Sequence, residues 1–217
     1  KYIDINDIDF LIWSSGIEPD DFDYNIQEYN DIKKKYDWLK NYPIFIYHGH
    51  FTENRGIEKM VEAFSHIKDY KFYFLIIGDG PYKDKLLNKI KELNISTNCI
   101  YLGKMPYHKI KYFIKLSDIA VMTYPILDYW KYNNPIKLSE YMYFNKYIIC
   151  SNIGPFVEMV RNGNSVIINE ITKKSLIKTY VDCIKDIDKI RLLNLENKSR
   201  NYILENYTWE KQAAKIV

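Results

Sequence analysis

Short, almost continuously apolar runs alternate with longer amphipathic segments from about residue 43 to the end of the chain. Six runs are strand-sized and rich in β-branched and aromatic residues, which is typical of strands covered on both faces. These runs cover residues 44–48, 72–77, 100–102, 119–123, 147–150 and 166–168. Helices are predicted between them at about residues 57–67, 82–94, 107–116, 135–144, 155–162 and 173–186, with one or two more over 190–216.

This alternation predicts an α/β fold built on a doubly wound parallel sheet of the Rossmann-like type over residues 43–217. The first 42 residues do not share the pattern. Residues 9–14 suit one more strand, residues 14–16 a turn, and residues 26–39 a charged surface helix that Pro43 ends. We interpret residues 1–42 as a lead-in that packs on the domain edge, with a flexible linker as the alternative.

Composition and charge narrow the function classes. The 217 residues carry 31 Lys and Arg against 28 Asp and Glu, a net charge of +3 with both signs scattered, which does not indicate nucleic-acid binding. Cys99, Cys150 and Cys183 lie far apart, so neither a disulfide framework nor a metal site is predicted. No apolar run approaches the ~18 residues of a membrane span. A reducing, cytoplasmic setting fits best, and the start at Lys1 suggests a piece of a longer protein.

The loop at residues 48–56 is the first place to look for a ligand, because ligands of open α/β sheets bind outside the carboxyl ends of the strands. Gly49 allows close approach of the backbone, while His50 and Arg55 supply one titratable and one permanently charged donor for an anion. An ordinary glycine turn with a solvated arginine is the alternative interpretation.

The loop after the second predicted strand contains Gly78 and Gly80, which are similar to the start of a dinucleotide-binding fingerprint. Lys83 stands where that fingerprint requires Gly or Ala. A nicotinamide site is therefore disfavoured.

The loop at residues 133–142 predicts an anion site at the start of a helix. Asn134 suits the N-cap and Pro135 the first turn, so the amides of residues 135–137 should point into the cleft. Lys137 and Glu140 are three residues apart and hence neighbours on the helix. Lys137 could then hold a phosphate while Glu140 accepts hydrogen bonds from vicinal hydroxyls. A surface ion pair between these two side chains is the alternative.

Six segments, in register, carry a resemblance to a known family. Residues 15–22, 48–56, 76–86, 101–106, 117–121 and 206–210 are similar to its motifs "N-G-V-D…F", "G-R-L…K-G", "VGDGP…L", "FLG.v", "aDv.v.PS" and "(F/Y)sW". The chain resembles the C-terminal, donor-nucleotide-binding half of a GT-B glycosyltransferase of the retaining family 4, also called glycosyl transferases group 1.

The resemblance implies which residues bind the donor. His50 and Arg55 take the positions of the family's R…K pair, which grips the donor diphosphate, with His in place of Arg and Arg in place of Lys. Glu140 matches the second glutamate of the E-x7-E motif, which binds the ribose, whereas the first glutamate falls on Tyr132. Arg55 and Lys137 are the implied catalytic residues. The implied donor-binding residues are Gly49, His50, Arg55, Gly78, Lys104, Met105, Asn134, Pro135, Ile136, Lys137, Leu138 and Glu140.

The function implied is retaining, metal-independent hexosyl transfer from a UDP-, GDP- or ADP-sugar, without a cofactor, in polysaccharide or glycoconjugate synthesis. The expected partner is an acceptor-binding N-terminal domain, through which the protein would associate with a membrane surface; without it, the chain should bind the donor but transfer nothing. A nucleotide-sugar epimerase or hydrolase of the same fold and a catalytically silent module are the alternatives. All of these functions require that Glu140 lie on the same side of the molecule as Gly49 and Arg55, and that packed side chains leave it uncovered.

Overall fold

A six-stranded parallel sheet forms the centre of the structure, a computed structural model that describes residues 14–215. The strands lie in the order β3-β2-β1-β4-β5-β6. All six predicted strands are present, and the Rossmann-like α/β fold is confirmed. The strands are β1 (Ile44–His50), β2 (Tyr73–Asp79), β3 (Cys99–Gly103), β4 (Ile119–Met122), β5 (Tyr147–Ser151) and β6 (Ser165–Ile168).

Helices connect the strands and cover both faces of the sheet. The described helices are α1 (Ile26–Lys35), α2 (Ile57–Ser65), α3 (Lys83–Glu92), α4 (Tyr107–Leu116), α5 (Ile136–Tyr143), α6 (Gly154–Val160), α7 (Lys173–Lys185), α8 (Ile187–Leu193), α9 (Lys198–Asn206) and α10 (Trp209–Ala213). Residues 14–215 also contain four short 3-10 helices, at Pro19–Phe22, Asp37–Asn41, Glu53–Arg55 and Asp128–Tyr132. Within residues 14–215, none of these helices has both the length and the apolar character needed to cross a membrane.

The sheet reverses its strand order between β1 and β4, which lie side by side at its centre. The segments that follow two such neighbouring strands run in opposite directions and leave a crevice at the carboxyl edge, where ligands of doubly wound sheets bind. β1 and β2 reach this edge in register, with Gly49 opposite Gly78. Behind the edge, residues 44–48 of β1, 74–77 of β2 and all of β4 are buried. Phe64 of α2 stacks on Tyr180 of α7 with ring centroids 4.1 Å apart.

The segment before β1 packs against the end of the chain. Ile17 forms an isolated parallel bridge with Thr208, with the Ile17 amide donating to the Tyr207 carbonyl at 2.8 Å. Residues 14–16 form neither a turn nor a regular element, so the predicted turn there is wrong. The predicted strand at residues 9–14 falls almost wholly outside the described residues. Phe22 and Leu39 are buried in the core.

Candidate functional site

An open cleft of about 430 Å³ lies at the carboxyl edge of β1 and β2. It brings together five of the implied donor-binding residues, which come from three separate loops: Gly49, His50, Gly78, Lys104 and Met105. Their grouping follows from the parallel sheet, since the carboxyl ends of all its strands meet at one edge. The residues lining the cleft are Gly49, His50, Ile77, Gly78, Asp79, Gly80, Lys104, Met105 and Ile110.

Two cationic side chains flank Gly49 beside this cleft. A Cβ added to Gly49 would lie 2.6 Å from Lys137 Nζ and 3.4 Å from Arg55 Nη1, so both groups crowd the bare glycine backbone. Lys137 Nζ donates to the hydroxyl of Tyr124 at 2.8 Å. Among residues 14–215, neither cation forms an ion pair with a carboxylate. The site therefore carries positive charge that lacks an anionic partner in direct contact.

Holding a charge on Lys137 costs free energy, because the side chain is buried beside another cation. Burial lowers the pKa of Lys137 well below its ordinary value, the neighbouring Arg55 lowers it further, and Glu140 opposes both. An anion bound between Lys137 and Arg55 would reverse this shift, because a nearby negative charge favours the protonated amine.

Glu140 is buried between two polar partners. Glu140 is only 1% exposed, and its Oε2 lies 2.9 Å from Nε2 of His48. The two atoms are within ion-pair distance, a contact that carries opposite charges only when His48 is protonated, and neither atom is in a well-directed hydrogen bond within the described residues. Oε1 accepts a hydrogen bond from the Tyr107 hydroxyl at 2.7 Å. Burial alone would raise the pKa of Glu140, but the neighbouring His48, the Tyr107 hydroxyl and Lys137 bring it below its ordinary value.

The position of Glu140 agrees with the sequence analysis in one respect and corrects it in two. Glu140 contacts His48, which directly precedes Gly49, so it lies on the same side of the molecule as Gly49 and Arg55. The expected exposure is wrong, because Tyr107 covers the carboxylate. The alternative of a surface ion pair with Lys137 is also wrong, since both side chains are buried and bond to other groups.

The start of α5 differs from its prediction. The helix begins at Ile136 with Pro135 at the N-cap, and no side chain caps it. Asn134 was expected at that cap, but its amide nitrogen donates to the hydroxyl of Ser14. The physical reason is that the Asn134 side chain bonds to the hydroxyl of Ser14, a residue distant in sequence, in place of an amide of the helix.

Fewer amides than expected are available to an anion at this helix. Pro135 has no N–H, and the amide of Leu138 donates to the Pro135 carbonyl at 3.0 Å, with the Leu138 side chain fully buried. The amides of Ile136 and Lys137 remain, because no acceptor among residues 14–215 is bonded to either. The start of this helix therefore offers two amide donors to an anion, those of Ile136 and Lys137, and not the three that were predicted.

Three polar side chains of the site were not singled out by the sequence analysis. His48 lies inside β1, near its carboxyl end, Tyr124 lies just beyond β4, and Tyr107 is the first residue of α4. His48 stands in the loop at residues 48–56 that the strand-end rule had marked, and Tyr124 directly follows the predicted strand at residues 119–123. Tyr132, at the position of the family's first glutamate, is 91% exposed at the end of the 3-10 helix Asp128–Tyr132.

Comparison with known proteins places the chain in a family. The family model described as glycosyl transferases group 1 matches residues 28–212. The chain belongs to this family. The resemblance carried by the six motifs is thereby confirmed, and the fold is that of the C-terminal half of a GT-B glycosyltransferase.

Individual relatives of this group 1 chain are distant. The N-acetyl-alpha-D-glucosaminyl L-malate synthase of Bacillus anthracis is 22% identical over 190 residues, which are 87% of this chain and 48% of the relative. A glycosyltransferase structure from Rickettsia africae matches with a TM-score of 0.79 at 20% identity, over 95% of this chain and 55% of the other. Anabaena HepE, solved with UDP and glucose, matches with a TM-score of 0.75 at 14% identity, over 93% and 54%. The chain thus spans about half the length of these proteins.

The buried lysine of this group 1 domain leads to a stability prediction. Changing Lys137→Met should raise the free energy of unfolding by about 1 kcal/mol, because an apolar side chain of similar length replaces a desolvated charge. Wild-type stability should also rise with pH between the lowered folded-state pKa of Lys137 and the ordinary 10.5, since the unfolded state binds the extra proton there. The variant should lack this part of the rise.

Urea unfolding between pH 7 and pH 9.5 checks both statements. The exposed Lys59→Met on α2 is the matched control and should change stability by less than about 0.5 kcal/mol. A Lys137→Met variant that is less stable than wild type, with the same pH dependence, would show that the buried ammonium is well compensated.

Proposed function

We propose that this chain is the donor-binding half of a glycosyltransferase that uses a UDP-, GDP- or ADP-sugar. The observation that carries the proposal is the pair of cations, Arg55 and Lys137, beside Gly49 at the crevice of the sheet, with no carboxylate among residues 14–215 paired to either. A diphosphate supplies the missing negative charge, and the glycine backbone leaves room for it.

The same arrangement suits the chemistry of transfer. When the bond to the sugar breaks, negative charge grows on the departing diphosphate. Arg55, Lys137 and the amides of Ile136 and Lys137 stand where fixed positive groups stabilise that charge, and such preorganised stabilisation supplies several kcal/mol. We propose that these groups act without a metal, and that transfer of a hexosyl group proceeds with retention at the anomeric carbon.

Recognition of the rest of the donor divides between the cleft and Glu140, which does not line the cleft and is buried beneath Tyr107. Lys104 and Met105 line the far side of the cleft, on the chain leading from β3 to α4, and suit the nucleobase. Glu140 suits the ribose, because an ionised carboxylate accepts hydrogen bonds from vicinal hydroxyls. The Anabaena structure with UDP and glucose supports a uridine nucleotide as the first candidate.

The chain's partner in the reaction is proposed from its length relative to its relatives. Because it spans about half of them, we propose that an N-terminal half binds the acceptor, and that the 217-residue chain alone binds the donor without transferring sugar. Any association with a membrane surface would reside in that other half. The three unpaired, buried cysteines among the described residues fit a reducing, cytoplasmic compartment.

A second candidate is a catalytically silent module that binds a nucleotide sugar. It is favoured by Tyr132, which stands without a carboxylate where the family places its first glutamate. Donor hydrolysis or transfer by the full-length protein would decide for the enzyme, and tight donor binding without turnover would decide for the silent module.

A ligand panel tests the binding proposal. Thermal unfolding of the 217-residue chain should be raised by at least one of UDP, GDP and ADP and left unchanged by NAD, since only a ligand that binds the folded state stabilises it. At a hundredfold excess over the dissociation constant, the gain is about 2.7 kcal/mol. Stabilisation by NAD alone would instead indicate a dinucleotide site, and no stabilisation by any of the four would contradict the proposal.

A further inference from the structure

The carboxylate that should receive the ribose is covered by two other side chains. Glu140 is almost fully buried, with His48 on one oxygen and Tyr107 on the other. A ribose hydroxyl cannot reach it without displacing one of the two. His48 is itself buried at 4% exposure and belongs to the central strand β1, so it has no space into which to move.

Tyr107 is the partner that can move. It is the first residue of α4 and directly follows the stretch from Lys104 to Pro106 at the cleft. The residue is 47% exposed, and its ring meets Phe22 edge-on at a centroid distance of 6.4 Å. A change of its side-chain rotamer would carry the hydroxyl into solvent without breaking the backbone of the helix.

We propose that Tyr107 is a displaceable substitute for a sugar hydroxyl. Its O–H donates to the Glu140 oxygen that a pentose hydroxyl of the nucleotide takes, and nucleotide binding turns Tyr107 outwards. The exchange conserves the number of hydrogen bonds to Glu140, because a phenol and a sugar alcohol are both neutral O–H donors to the same ionised oxygen. His48 stays on the other oxygen throughout. This inference rests on the proposed function and adds a residue that determines specificity.

The exchange makes the site selective for ribose. A nucleotide that carries a free hydroxyl replaces the hydrogen bond that Tyr107 gives up, whereas a 2′,3′-dideoxynucleotide would leave a buried carboxylate oxygen unpaired. Leaving such a group unpaired is costly. Tyr107 is therefore expected to stay in place when a dideoxynucleotide or inorganic pyrophosphate binds.

Removal of the competing hydroxyl gives the test. Tyr107→Phe should bind the ribonucleoside diphosphate about tenfold more tightly than wild type, because a ligand no longer competes with a charge-assisted hydrogen bond. Titration calorimetry with UDP, GDP and ADP, their 2′,3′-dideoxy counterparts and inorganic pyrophosphate should show this gain only for the ribonucleotides. Tyr107→Leu should change affinity in the same direction, which guards against an effect particular to the Phe ring.

Tyr112→Phe provides a matched control on the same helix. Its hydroxyl also donates to a glutamate, Oε2 of Glu28 at 2.6 Å, but away from the cleft, so nucleotide affinity should not change. If wild type binds UDP, GDP or ADP and Tyr107→Phe weakens that binding or leaves it unchanged, Tyr107 is not displaced and the inference is wrong, while the proposed function stands. If wild type binds none of the three, the proposed function fails and the inference fails with it.

Discussion

Replacing Arg55 and Lys137 together with alanine should lower the affinity for the preferred nucleoside diphosphate by about a thousandfold. Loss of one partner from a desolvated, hydrogen-bonded charge pair costs at least about 2 kcal/mol of binding free energy. Two such losses add to about 4 kcal/mol, which corresponds to about a thousandfold in affinity. Both cations lie at Gly49, so one diphosphate can contact them at once. Each single variant should account for roughly the square root of the effect, about thirtyfold.

The same double variant separates a diphosphate site from other uses of the cleft. Titration calorimetry measures the change, and thermal unfolding confirms that the variant is folded. Arg161→Ala with Lys91→Ala removes the same net charge from exposed positions and should leave affinity within about twofold, because such charges are screened by solvent. An affinity for UDP, GDP or ADP that is equally strong after Arg55 and Lys137 are lost would show that the pair does not hold the phosphates.

Gly78→Ala should destabilise the domain by about 4 kcal/mol or more, in the range reserved for severe steric or backbone defects. Gly78 has φ of +140°, a region that side chains other than glycine rarely adopt. Its added Cβ would lie 1.9 Å from the carbonyl oxygen of Gly49, the residue paired with it across β1 and β2. The two strand ends would have to separate, which would also displace Gly49 from the cations.

Chemical unfolding measures this cost, and a second glycine supplies the control. Gly154→Ala adds a Cβ that meets no atom within 4 Å at the start of α6, so its stability should stay within about 0.5 kcal/mol of wild type. A Gly78→Ala protein as stable as the Gly154→Ala protein would mean that the edge of β1 and β2 tolerates rearrangement, and that Gly78 is not needed for the shape of the cleft.

The strands were predictable because parallel strands at the centre of a two-sided sheet are apolar on both faces. Residues 72–77 and 119–123 show this directly as continuous apolar runs. The gathering of Gly49, Gly78 and Lys104 at one edge was predictable too, since it follows from strand direction alone.

Contacts between side chains distant in sequence were not predictable. The bond between Tyr107 and Glu140 joins residues 33 positions apart, and that between Asn134 and Ser14 joins residues 120 apart. Each depends on how one helix or segment packs on another, which no local pattern encodes. For this reason the sequence analysis identified Glu140 but not Tyr107, which covers it, and it assigned Asn134 to a helix cap that this residue does not form.

A crystal structure of the chain with UDP, or with whichever of GDP and ADP binds best, is the most direct measurement. The decisive quantity is the distance from the Glu140 carboxylate oxygens to the ribose hydroxyl oxygens. We predict a separation of about 2.5–2.7 Å, with the diphosphate on Arg55 and Lys137 and the Tyr107 hydroxyl turned out of the site. A bound nucleotide whose ribose lies away from Glu140, with Tyr107 still covering the carboxylate, would contradict the assignment of this cleft.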